Sequence, residues 1–116
     1  MLDIYNQKGD GMDIQIRRKQ ILVEMAQIET MEKGRLTEEY RDSYKNGKPI
    51  RLGPYFKHQY WEDGKNISRR VPISRVEELG NAVDGYHRFE ALSKEYVQLT
   101  VEKTRDQSAE EGKKKP

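Results

Sequence analysis

The sequence predicts an α+β fold: an N-terminal helix, a three-stranded antiparallel meander and a long C-terminal helix. Three observations carry this. Apolar residues recur at helical spacing towards both ends of the chain. The middle is rich in aromatic residues. Asp63-Gly64 lies between two strand-like runs, the signal for a two-residue hairpin turn.

The first element follows Lys8-Gly9-Asp10-Gly11, which marks residues 1–11 as a flexible N-terminus. Ile14, Ile21, Met25 and Ile28 then share one stripe of a helix, with Leu22 beside them. Asp13 is its expected cap and Gly34 its expected stop, giving a helix over 13–33. Residues 35–45 fit two patterns. Leu36, Tyr40 and Tyr44 suit a short helix, and the alternation from Leu36 to Tyr44 also suits a strand. Asn46-Gly47-Lys48-Pro49 is a turn on either reading.

The hairpin from 54 to 72 is clearer. A two-residue turn at Asp63-Gly64 sets 60 opposite 67, 58 opposite 69, and 56 opposite 71. Phe56, Tyr60, Ile67 and Val71 then share the core face, with His58 on that face or its rim. Tyr55, Lys57, Gln59 and Trp61 share the other face with Asn66, Ser68 and Arg70. Pro72 ends the strand, and Ser74 with Glu77 forms a capping box for the last helix. Its stripe reads Val76, Leu79, Val83, Tyr86, Phe89, Leu92, Tyr96 and Leu99, and the helix is expected over 74–104.

Composition frames these elements. The 116 residues are 34% hydrophobic and 36% charged, which bounds the chain to a small core. A single domain over 12–105 is expected, with 106–116 a disordered, solvated tail. The absence of cysteine excludes disulfides, thiolate metal sites and a cysteine nucleophile, and fits a reducing cytoplasm. No apolar run reaches the roughly 18 residues of a membrane span, so no membrane association is expected.

The middle of the chain resembles an uncharacterised prokaryotic family of small proteins. The matching pieces are Gly34-Arg35-Leu36, Tyr40, Gly47-Lys48-Pro49, Gly53-Pro54-Tyr55-Phe56, Gly64-Lys65 and Arg70-Val71-Pro72, in that order. The resemblance covers roughly residues 34–100 and implies the strand reading of 35–45. Family members carry cysteines where this chain has Asn46 and Ile50-Arg51-Leu52, so a thiolate zinc site is not implied here. No activity comes with the resemblance; what it implies beyond fold is an association of relatives with mobile elements, which points to DNA.

Enzyme chemistry finds little support, and neither a cofactor nor a metal is expected. His87-x-x-Glu90 has the spacing of half a metal site, but two such residues on a polar helix surface are usually solvated. Glu38-Glu39 and Glu77-Glu78 are adjacent pairs whose side chains diverge, which does not build an acid–base couple. Charge distribution says more. Residues 33–75 hold 11 basic and five acidic groups, a balance of +6 in a chain of net +2. Lys48, Arg51, Lys57, Gln59, Trp61, Ser68 and Arg70 are therefore the candidate nucleic-acid contacts: cations for phosphate, amide and hydroxyl for base edges, an aromatic for stacking. An ordinary solvated sheet face is the plainer reading. Leu92, Tyr96 and Leu99 overreach the first helix and form a candidate interface for a homodimer or another protein partner. The expected function is a small non-enzymatic nucleic-acid-binding accessory protein, with a protein-interaction adaptor as the alternative.

Overall fold

The computed structural model describes residues 11–114. Five elements follow one another: α1 (Gly11–Ala26), β1 (Arg35–Lys45), β2 (Lys48–Glu62), β3 (Lys65–Val71) and α2 (Ile73–Lys114). This is the predicted α+β order, and residues 35–45 are a strand. Of the expected flexible segment 1–11, residues 1–10 lie outside the described residues and Gly11 opens α1. The chain forms two compact units. One is a sheet unit from Thr30 to His87; the other is a helical unit of α1 with α2 from Arg88 onward.

In the sheet unit the strands lie in the order β1-β2-β3, antiparallel throughout. The register of the second hairpin is the predicted one, with Phe56 opposite Val71, His58 opposite Arg69 and Tyr60 opposite Ile67. Asp63 and Gly64 both have positive φ, 52° and 77°, as a type I′ turn requires. Asn46 and Gly47, at 54° and 75°, turn the first hairpin in the same way. Between Glu39 opposite Tyr55 and Arg41 opposite Leu52, β1 advances two residues while β2 advances three. The extra residue is a β-bulge at Gly53-Pro54. Pro54 has no N–H for a ladder, and a Cβ on Gly53 would come within 2.9 Å of the Glu39 carbonyl oxygen.

His58 and Val71 are buried on the inner face of the sheet, and Val83 is buried on α2. A Cβ on Gly80 would meet Leu36 at 3.7 Å, so α2 passes close over the start of β1. The stretch entering β1 is fastened there by three hydrogen bonds. The Glu32 amide donates to the Ala82 carbonyl at 2.9 Å. His58 donates from Nε2 to the Lys33 carbonyl at 2.7 Å, and His87 donates from Nε2 to the Gly34 carbonyl at 2.8 Å. These bonds account for a correction. α1 ends at Ala26 and not near 33: the Glu32 amide, which a continued helix would turn back onto Ile28, is bonded to Ala82, and the Lys33 and Gly34 carbonyls are held by His58 and His87.

α2 begins at Ile73, one residue ahead of the predicted cap, and the Arg75 amide donates to the Pro72 carbonyl at 2.9 Å. Ser74 therefore lies inside the first turn and does not cap it. At the other end α2 continues through the expected tail to Lys114. Residues 106–109 are solvated as expected but helical. No glycine or proline lies between Arg105 and Glu111 to break the helix.

The helical unit buries Ile14 and Ile21 of α1 and Leu92 of α2. Arg17 forks onto Glu95, Nε to Oε2 at 2.7 Å and Nη2 to Oε1 at 2.8 Å, and reaches Glu24 at 2.8 Å. Arg88 meets Glu24 at 2.9 Å, while Arg18 donates to the Tyr96 hydroxyl and to Thr100, both at 3.0 Å. Partner numbers fall along α2 as they rise along α1, so this helix pair is antiparallel. The hydrogen bond from Arg17 holds the Glu95 carboxyl below its ordinary range, and Glu95 with Glu24 raises Arg17 in turn. No helix among the described residues is long and apolar enough to cross a membrane.

Candidate nucleic-acid interface

The outer sheet face is set by register. Lys57 faces Arg70, Gln59 faces Ser68, and Trp61 faces Asn66. Residues paired across antiparallel strands project to the same side, so these six form one surface. β1 extends it with Arg35 opposite Gln59 and Glu39 opposite Tyr55. Five of the seven predicted contacts, Lys57, Gln59, Trp61, Ser68 and Arg70, are thereby brought together.

Trp61 is 67% exposed, high for the largest aromatic side chain. Tyr55 instead carries two guanidinium groups, Arg70 at 4.1 Å and Arg41 at 5.3 Å from the ring centre. These stacks hold two cations at the sheet surface while leaving their charge in place. Lys57 is paired with Glu39 at 3.2 Å, and Arg35 reaches the Gln59 side-chain oxygen at 3.5 Å. Among the residues of this face Glu39 is the one acid, set against Arg35, Arg41, Lys57 and Arg70.

Arg51 corrects the sequence reading. The bulge at Gly53-Pro54 inverts the alternation of β2, so Arg51 pairs with Asp42 and stacks on Tyr40 at 4.2 Å, away from the Trp61 face. Lys48, opposite Lys45, lies on the same side as Arg41. Arg35, Arg41 and Tyr55 belong to the surface as well. The arginines were hidden because residues 35–45 also fitted a helix.

The candidate partner interface changes too. Leu92 is 6% exposed, Tyr96 accepts from Arg18 and lies under its guanidinium at 4.8 Å, and Leu99 is half-buried. α1 covers this stripe within the same chain, since its antiparallel course runs beside it. In the His87-x-x-Glu90 pair, His87 Nε2 is engaged with the Gly34 carbonyl. Comparison of the chain with protein-family models, curated proteins and solved structures finds no match.

Proposed function

We propose that this is a small non-enzymatic nucleic-acid-binding accessory protein, acting through the outer face of its sheet. The observation that carries the reading is Trp61, two-thirds exposed on a surface shared with Lys57, Arg70 and Gln59. A solvated antiparallel face tends to be polar and has no need of an exposed indole. An indole beside cations suits an unpaired base, which offers a π face for stacking and a phosphate for charge. Gln59 and Ser68 add hydrogen-bonding groups opposite one another.

The test is a mobility shift on duplex DNA, single-stranded DNA and RNA across salt concentrations. Binding should weaken steeply with salt. Trp61→Ala should cost roughly 1–3 kcal/mol of single-strand affinity, and Lys57→Ala and Arg70→Ala should reduce the salt dependence. No binding at low salt would remove the proposal.

A second reading, a protein-association adaptor that can form homodimers, is supported by different residues. Ile16 and Val23, two turns apart on α1, are 49% and 58% exposed, and Val97 on α2 is 60% exposed. Light scattering near twice the 13.7 kDa chain mass would support a dimer.

A further inference from the structure

β3 pairs with β2 only from Phe56 to Glu62. Beyond the bulge β1 and β2 continue as a pair, from Arg41 opposite Leu52 to Lys45 opposite Lys48. Residues 41–52 thus form a two-stranded arm. Four residue steps at about 3.4 Å each give it a length of roughly 14 Å before the turn. Most of its residues are exposed, Tyr44 at 75% among them. It carries Arg41, Lys45, Lys48 and Arg51 against Asp42, a balance of +3 in twelve residues.

We infer that this arm is the part of the protein that engages double-stranded DNA, lying in a groove with its cations on the flanking phosphates. The inference deepens the nucleic-acid reading and rests on it. Three features support it. A two-stranded ribbon has the width that the roughly 12 Å major groove of B-form DNA admits. Four of the arm's five charges are positive, whereas protecting exposed strand edges from pairing needs charge of either sign. Lys45 and Lys48 stand directly opposite each other beside the turn. Like charges so placed oppose the hairpin, and a phosphate close to both would offset the repulsion. Asn46 is the arm's one side-chain amide and sits in the turn. Arg41 and Arg51 are held against the rings of Tyr55 and Tyr40, which leaves the arm's cations for phosphate, so the arm binds duplex with little sequence preference.

The experiment compares wild type, Lys45→Thr/Lys48→Thr and Trp61→Ala on a 20-base-pair DNA duplex, a scrambled duplex and a single strand. Fluorescence anisotropy is recorded between 50 and 200 mM salt, with thermal melts as the control for folding. Two lost phosphate contacts should lower the salt slope by about 1.8, so the wild-type loss of affinity across this range shrinks about tenfold. The double variant should melt at the wild-type temperature or above, bind duplex more weakly at low salt, and keep its single-strand affinity. Both duplexes should bind wild type alike. If wild type binds duplex and the double variant binds it with an unchanged slope, the arm inference is overturned while the nucleic-acid reading stands. If wild type binds no nucleic acid, both fall.

Discussion

Gly34→Ala should be far more damaging than Gly47→Ala, although both glycines have positive φ, 91° and 75°. Each alanine would carry the left-handed strain of an L residue, roughly 1–2 kcal/mol. Their surroundings differ. A Cβ on Gly34 would collide with the Gln59 carbonyl oxygen and lie 2.7 Å from Tyr60 Cβ, while one on Gly47 meets nothing within 4 Å. Forcing atoms into that contact adds roughly 1–3 kcal/mol. It also disturbs the Gly34 carbonyl that accepts from His87. The expected losses are therefore roughly 2–5 kcal/mol for Gly34→Ala and 1–2 kcal/mol for Gly47→Ala. At about 4 °C per kcal/mol for a chain of this size, Gly34→Ala should lower Tm by roughly 8–20 °C and Gly47→Ala by 4–8 °C. Thermal melts followed by circular dichroism measure both. Equal shifts, or a milder Gly34→Ala, would refute the close approach of the β1 entry to β2.

Other consequences follow from the helical unit. Leu92→Ala should cost roughly 2–5 kcal/mol in urea denaturation, whereas Val97→Ala, at an exposed position further along α2, should fall within about 0.5 kcal/mol of wild type. Glu95 has its folded pKa lowered by Arg17. Its contribution is therefore complete above the unfolded value, about 4.3, and is lost as pH falls through the folded value. The pair is more than a third exposed, so solvent screening keeps the effect under about 1 kcal/mol. Glu95→Gln should flatten the fall in Tm below pH 4.5, and an unchanged acid profile would discount the ion pair.

Much of the fold was legible because it is locally encoded. Asp63-Gly64 dictates a turn type, the turn dictates a register, and the register sorts Lys57, Gln59 and Trp61 from Phe56 and Tyr60. The end of α1 was not legible in this way. Ile28 continues the helical period, and what stops the helix is distant: Ala82, His58 and His87 take the backbone groups of residues 32–34. The placement of Arg51 was partly legible. Gly53-Pro54 is a bulge signal within a strand, and one inserted residue moves every side chain beyond it to the other face. The stripe at Leu92, Tyr96 and Leu99 was recognised, but its cover was sought in a second molecule because α2 was expected to outrun the first helix, with packing of the two helices in one chain as the alternative.

Trp61 is the chain's single tryptophan, so its emission reports on the proposed surface alone. Titrating the protein with single-stranded DNA at 50 mM salt should quench or shift that emission in step with binding, and raising the salt to 200 mM should reverse it. Single-strand binding that leaves the emission of Trp61 unchanged would contradict the assignment of the outer sheet face, and the absence of any nucleic-acid binding would contradict the function itself.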